Sequence, residues 1–290
     1  MHLINIKNSI FRILQNENVN RFFALYKYIE WSFVKLFNKF PLKLTVSEST
    51  LLITNKSVAK QGGTKIYTQG LFDYNNMNLF RFCAKNLGGV FFDIGANLGI
   101  YSLLFSEFSK TKVFAFEPTP STFQKLNANL AYNKRDNVVA INKAISRDNG
   151  ICCFSNKPYS SVNKIIKNDQ HIDSIEVEKL TISSFCSKND IKPDFVKIDV
   201  EGFELDVLLG FNSILEKVQV FVIEISENRN EIIKLLNISG FIGPLYFDFR
   251  NKQFHRNSLS KLQEDPVFIS QEFLNRVQKK YQFSILESTI

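Results

Sequence analysis

Four short apolar runs in this chain each stop at a carboxylate: VFFD closes on Asp93, VFAFE on Glu117, FVKID on Asp199 and VFVIE on Glu224. After them come segments of helical periodicity, including NLGIYSLLFSEFS, PSTFQKLNANLAYN and GFELDVLLGFNSIL. Near-continuous apolar strands are buried on both faces, which happens when helices cover both sides of a mainly parallel sheet. The alternation therefore predicts an open, doubly wound α/β domain. In such a sheet ligands bind beyond the carboxyl ends of the strands, where the strand order reverses. The four acids sit at those ends.

The turn after the first run sharpens this reading. Residues 95–100 are GANLGI, so the G-x-G-x-x-G dinucleotide fingerprint lacks its middle glycine, with Asn97 in its place. That glycine admits a pyrophosphate, and its absence disfavours a nicotinamide or flavin dinucleotide. Gly95 is expected to let the turn approach a ligand, and Gly99 to let the next helix lie close to the strand. Glu117 follows Asp93 by 24 positions, close to the ~20 expected of an acid that accepts from ribose hydroxyls. An acid-capped glycine turn and a ribose-binding acid one strand later describe a pocket for an adenosine with a cationic tail, S-adenosylmethionine. A turn-forming Asp is the alternative for Asp93 taken alone.

Charge is unevenly spread. Residues 1–45 hold seven Lys/Arg against Glu17 and Glu30, so +5 of the chain's formal +8 lies in an N-terminal arm. A body carrying only +3 argues against a broad nucleic-acid-binding face. Within the arm, Phe22, Leu25, Ile29, Phe33 and Phe37 recur at helical spacing up to Pro41, with lysines interleaved. Residues 20–40 thus form an amphipathic helix that packs on the body, self-associates or contacts a membrane surface. Cys83, Cys152, Cys153 and Cys186 show no metal-ligand or CxxC spacing, which fits a reducing compartment. With no long uncharged apolar run and no signal-type apolar segment, a cytoplasmic protein is expected, peripheral at the inner face of the membrane if the arm lies on lipid.

The chain resembles the FkbM family of S-adenosylmethionine-dependent methyltransferases through DIGANLGIYS (93–102), FEPTPSTFQKLNANLAYN (116–133) and KIDVEGFELDVLLG (197–210), with a lesser match in AISRDNG (144–150). The resemblance implies a Rossmann-like class I methyltransferase fold, an open, mainly parallel seven-stranded sheet with helices on both faces and an antiparallel last strand, here preceded by the helical arm. The resemblance covers about 66–248; with the charge distribution and periodicity, the chain divides into the arm at 1–45, the domain at 46–255 and a C-terminal helical tail at 256–290. Within the domain fall a cofactor half (88–150), an insertion (150–184) and a substrate half (185–255). Residues 46–80 read as short strands and turns, 137–146 as a strand, 240–256 as a hairpin and 269–281 as a final helix.

By motif match, Gly95, Ala96, Asn97 and Gly99 line the methionine part of the cofactor, Asp93 accepts from its ammonium, and Glu117 holds the ribose. Adenine lies near Pro118, Ala144 and Ile145. Glu201 and Glu204, three apart, fall on one face at a helix start, where the macrodipole stabilises acids without any catalytic role. Asp199 or Glu201 is otherwise placed to accept the proton of a substrate hydroxyl, with Lys197 orienting them. No metal is expected from the spacing, with Asp199 and Glu224, on neighbouring strand ends, as the alternative that shares a divalent cation. Tyr67, Asp73 and Tyr74 pack ordinarily or cover the cofactor as a lid, and His171 and His255 are expected on the surface. The implied reaction is O-methylation, of a sugar in a cell-surface glycan or glycolipid precursor, or of a polyketide or other small hydroxylated metabolite. A non-enzymatic binding module and an NAD-dependent oxidoreductase are the other classes. Oligomeric state has no signature in the chain.

Overall fold

A computed structural model of the chain describes residues 9–11, 13–14, 19–155, 174–258 and 264–286. Its elements begin with helix α1 (Arg21–Leu36), the hairpin β1 (Leu42–Val46) and β2 (Ser49–Ile53), and helices α2 (Thr64–Gln69) and α3 (Tyr74–Asn86). The regular alternation then runs β3 (Gly89–Ile94), α4 (Ile100–Phe105), β4 (Thr111–Phe116), α5 (Pro120–Tyr132) and β5 (Val138–Ile141). Next come β6 (Ala144–Ile145), β7 (Gly150–Ser155) and β8 (Ser174–Leu180), then α6 (Ile182–Asn189), β9 (Phe195–Ile198), α7 (Glu204–Leu209), β10 (Val220–Ile223) and α8 (Arg229–Ile238). The chain closes with β11 (Phe241–Asp248), β12 (Gln253–His255), β13 (Val267–Ser270), α9 (Gln271–Tyr281) and β14 (Ser284–Leu286).

Nine strands form one sheet in the order β14-β12-β11-β13-β10-β9-β3-β4-β5. β5, β4, β3, β9 and β10 are parallel, and β13 inserts antiparallel between β10 and β11. These seven strands match the implied architecture, and β12 and β14 extend its edge. From β3 the chain builds outward to β4 and β5, then returns to lay β9 and β10 on the other side. The order therefore reverses between β3 and β9, and that is where a ligand crevice opens.

Residue parity divides the core. Phe91 and Phe195 pack under α3, α4 and α9 with Phe80, Phe105 and Phe273, whereas Phe92, Phe116 and Val196 pack under α6, α7 and α8 with Val207 and Ile232. Burying each such aromatic side chain contributes about 1.5–3 kcal/mol. The apolar run is continuous because both parities are needed.

Three stretches differ from the expectation. Residues 56–86 are mostly helical, since Val58, Ala59 and Ile66 turn into an apolar cluster around Trp31. The expected helical tail instead begins and ends with strands of the sheet, β13 and β14, on either side of α9. The expected strand 137–146 is broken at Asn142 and Lys143, so that Ala144 and Ile145 pair with β8 in a separate three-stranded sheet with β7. His171 lies outside the described residues.

The arm docks by the face opposite to its apolar stripe. Trp31 is fully buried, stacks on Tyr67 with ring centroids 4.6 Å apart, and donates from Nε1 to Thr64 Oγ1 at 2.7 Å. Phe22, Ile29, Phe33 and Phe37 face solvent. Tyr67 is thereby committed to the arm. Among the described residues no helix is long and apolar enough to cross a membrane.

Candidate active site

The mouth of the crevice is stitched by backbone hydrogen bonds at successive strand ends. Gly95 and Ala96 donate to Phe116 O at 3.0 and 2.9 Å, Asp199 N to Ile94 O at 2.9 Å, and Glu224 N to Ile198 O at 2.9 Å. These bonds hold Asp93, Glu117, Asp199 and Glu224 at one end of the sheet. Gly95 has φ +83°, and a Cβ there would lie 1.8 Å from Asp199 O. Its hydrogen atom is thus required by the chain's own backbone, a different reason from the approach to a ligand that the sequence suggested. Gly99, at φ +81°, begins α4, and a Cβ on it would lie 2.4 Å from Leu126 Cδ1 of α5. It permits the start of α4 to lie against the middle of α5, more than against the strand.

Asp93 is buried, and its Oδ2 accepts from Ser102 N at 3.0 Å and Ser102 Oγ at 2.6 Å. One carboxylate oxygen therefore ties the strand end to α4. Burial pushes the Asp93 carboxyl up to about 6, against the bonds from Ser102. Glu117 accepts from Asn97 N at 3.0 Å and Thr119 N at 2.9 Å, one amide on each oxygen. Burial pushes it up to about 7. Asn97 sits at φ +51°, and its Oδ1 is buried with no hydrogen-bond partner among the described residues. An unpaired buried acceptor costs about 1–3 kcal/mol, which a donor on a bound ligand offsets.

Beside these lies a polar cluster. Lys197 is the register partner of Asp93 on the neighbouring strand and is buried. Its Nζ bonds Asp265 Oδ2 at 2.9 Å and Ile198 O at 3.3 Å. Burial alone lowers its pKa, but Asp265, Asp199 and Glu224 outweigh burial and hold it above the usual lysine value. Glu224 is pushed up to about 8 by burial and by the charge and hydrogen bond of Asp199. Tyr101 donates to Asp73, whose carboxyl burial and then Asp265 raise to about 6. Five carboxylates, Asp73, Asp93, Asp199, Glu224 and Asp265, face one buried lysine here. That imbalance suits a cationic ligand.

Asp265 and Tyr101 were not foreseen. The signal for Asp265 was the sequence Asp-Pro before the apolar run VFIS. Because β13 is antiparallel, its first residues lie beside the last residues of the parallel strands. Asn142 was also missed: its Nδ2 donates to Glu117 O at 2.8 Å and Pro118 O at 2.9 Å, fixing the peptide beside the ribose-binding candidate.

Other candidates fall differently. Glu201 and Glu204 do not share a helix face, because Glu201 (φ +54°) and Gly202 (φ +102°) form a turn before α7. Glu204 is buried and accepts from Gly202 N at 2.8 Å, which makes it a cap of that turn. Ala144 packs with Phe154 and Val177, and Ile145 lies in the core shared with Phe92 and Phe116. Asp73 belongs to the polar cluster, and Tyr74 packs edge-on to Phe249. His255 lies on β12 with Nε2 buried and without a partner, so it is not a free surface residue. Among the described residues no three of His, Cys, Asp and Glu converge at metal-ligand spacing, and Asp199 and Glu224 remain a pair.

Comparison with known proteins places the chain in a family. The model of the methyltransferase FkbM domain matches residues 93–256, which contain all four strand-end acids. Hexuronic acid methyltransferase AglP of Haloferax volcanii is 31% identical over 162 residues, covering 51% of this chain and 61% of AglP. Methyltransferase sdnD of Sordaria araneosa is 30% identical over 186 residues, covering 51% of this chain and 72% of sdnD. The match thus spans less than two thirds of AglP. Among solved structures, the chain is similar to an S-adenosylmethionine-dependent methyltransferase from Agrobacterium tumefaciens, with a TM-score of 0.41 and 8% identity, covering 69% of this chain and 57% of that one.

Proposed function

This chain belongs to the methyltransferase FkbM domain family, and from that premise we propose that it transfers a methyl group from S-adenosylmethionine to a hydroxyl of a sugar in a cell-surface glycan or glycolipid precursor. The observation that carries the cofactor reading is the turn 95–99: a buried acceptor without a donor among the described residues, Asn97 Oδ1, beside the raised carboxyls of Asp93 and Glu117. Groups of this kind fit a ligand bearing an ammonium, a second positive charge and ribose hydroxyls. The name of AglP, a hexuronic acid methyltransferase, supports a sugar acceptor.

When bound, S-adenosylmethionine supplies a methyl group on a positively charged sulfur. The chain's own residues supply position and charge. Asp93, Asn97 Oδ1 and the backbone of Gly95, Ala96 and Gly99 hold the amino acid end. Glu117 keeps its two amide bonds and accepts from the ribose through its remaining lone pairs. Pro118 and Asn142, with Ala144 and Ile145 behind them, border the adenine. Asp199 and Glu201 flank the acceptor side, and the proton of the acceptor hydroxyl passes to one of them. Lys197 acts on those carboxylates as a positioning residue: it holds Asp265 and offsets the charge of Asp199 and Glu224. Orienting the acceptor supplies up to ~7–11 kcal/mol of barrier lowering, so modest base catalysis is sufficient.

The test is incubation with methyl-labelled S-adenosylmethionine and a panel of acceptors: glycolipids ending in a hexuronic acid, the same glycolipids ending in a neutral hexose, and polyketide alcohols. Label in a sugar hydroxyl is the expected result. Label confined to the polyketide alcohols overturns the acceptor, and absence of cofactor binding by calorimetry overturns the whole reading.

A further inference from the structure

Helix α1 presents an apolar stripe that is exposed among the described residues. Phe22 is 88% exposed and Leu36 70%, and Tyr26, Ile29, Phe33 and Phe37 lie along the same stripe, all more than half exposed. Positions 22, 26, 29, 33 and 36/37 step along one side of a 16-residue helix, a ridge of about 20 Å at 1.5 Å per residue. Contiguous exposed apolar surface of this kind marks an interaction site. Its mounting is rigid, because Trp31 on the opposite side is fully buried, stacked on Tyr67 and bonded to Thr64. The ridge therefore does not turn inward to fill the core.

Charge selects the occupant. Arg21 at the start of the helix and Lys39 and Lys43 just beyond its end are exposed. The one acid in the helix, Glu30, is paired with Lys27 at 2.8 Å. A second copy of the chain meeting this face in a two-fold arrangement brings the same cations against one another. An anionic lipid surface reverses that sign and also accepts aromatic side chains at its interface. We infer that α1 is a preformed docking surface for an anionic phospholipid bilayer, lying in the interface plane with Phe22, Ile29, Phe33 and Phe37 inserted and Arg21, Lys39 and Lys43 at the headgroups. This goes beyond the methyl-transfer reading and does not depend on it.

The experiment is co-sedimentation of the full chain with vesicles of phosphatidylcholine alone and of phosphatidylcholine with phosphatidylglycerol. Binding is expected only with phosphatidylglycerol present, and is expected to weaken as salt is added. The triple variant Phe22→Ser, Phe33→Ser, Phe37→Ser loses at least about tenfold in partition, as removal of large inserted side chains requires. Lys39→Glu with Lys43→Glu loses at least about fivefold for each charge, by the worth of a basic residue near an anionic surface. Both variants change only exposed side chains, and unchanged thermal melting confirms that they fold. Failure to sediment with phosphatidylglycerol vesicles, or equal binding by the triple variant, overturns the inference. Concentration-dependent dimerisation that the triple variant abolishes, without vesicle binding, assigns the ridge to a second copy and overturns it as well.

Discussion

Replacing Gly95 by alanine tests the idea that the glycine turn is demanded by the sheet itself. A Cβ at this position lies 1.8 Å from Asp199 O and 2.9 Å from Asp199 C, while real Cβ contacts essentially never fall below 3.0 Å. The turn or the end of β9 must therefore shift by about 1.2 Å, and the backbone at φ +83° adds the left-handed penalty of an L-residue, ~1–2 kcal/mol. Forcing a packed backbone apart adds ~1–3 kcal/mol, for a total of roughly 2–5 kcal/mol. Two controls separate these contributions. Gly240 has φ +87° with nothing within 4 Å of its Cβ position, so Gly240→Ala costs only the ~1–2 kcal/mol conformational part. Gly99→Ala meets Leu126 Cδ1 at 2.4 Å, a side-chain tip that can yield, and falls between them. At ~2–4 °C per kcal/mol for a domain of this size, Gly95→Ala lowers the melting temperature by roughly 10 °C. The assay is thermal melting followed by circular dichroism for the three variants side by side. If Gly95→Ala proves no more destabilising than Gly240→Ala, the close approach of the turn to β9 is wrong, and with it the placement of Asp199.

Other consequences follow from the same groups. Lys197→Met removes the buried cation between Asp265, Asp199 and Glu224; breaking a buried pair costs ~3–5 kcal/mol, and the loss in urea midpoint is larger at pH 9 than at pH 5, because Glu224, raised to about 8, and Asp73, raised to about 6, take up their protons on the way down. A loss independent of pH contradicts that electrostatic role. Because Asp93 and Glu117 have folded values raised to about 6 and about 7, the folded state binds their protons more tightly than the unfolded state. Their contribution to stability is full below the ordinary carboxyl values and is lost as pH rises through 6 and 7, so the midpoint of the ligand-free protein declines over that range. Glu117→Gln with Asp93→Asn flattens the decline. Trp31→Ala empties the socket of α1 at a cost of about 3–5 kcal/mol, read as faster hydrogen exchange of the α1 amides than of those in β3.

The centre of the fold was legible because its strands announce themselves. β3, β4, β9 and β10 are buried on both faces, so their runs are nearly all apolar, Lys197 apart, and each leads to an acid at the crevice. β13 was hidden because its four residues, VFIS, run straight into the helix QEFLNRVQKKY, and periodicity cannot divide so short a run from the helix after it. The polar cluster was hidden for a different reason. Lys197 and Asp265 are 68 residues apart, and their meeting depends on β13 running antiparallel, which is a property of the sheet and not of either segment. Spacing misled at Glu201 and Glu204, where a three-residue interval suggested one helix face but Gly202 turns the chain first. For α1, the periodicity of the apolar stripe was visible, but which side faces the body was decided by Trp31, whose size and indole N–H found a stacked ring and a hydroxyl.

The most direct measurement is a crystal structure of the chain grown with S-adenosylhomocysteine. The ribose hydroxyls are expected within hydrogen-bond distance of Glu117, and the amino group beside Asn97 Oδ1 and Asp93. Density for the nucleoside elsewhere, with Asn97 Oδ1 still lacking a donor, contradicts the account.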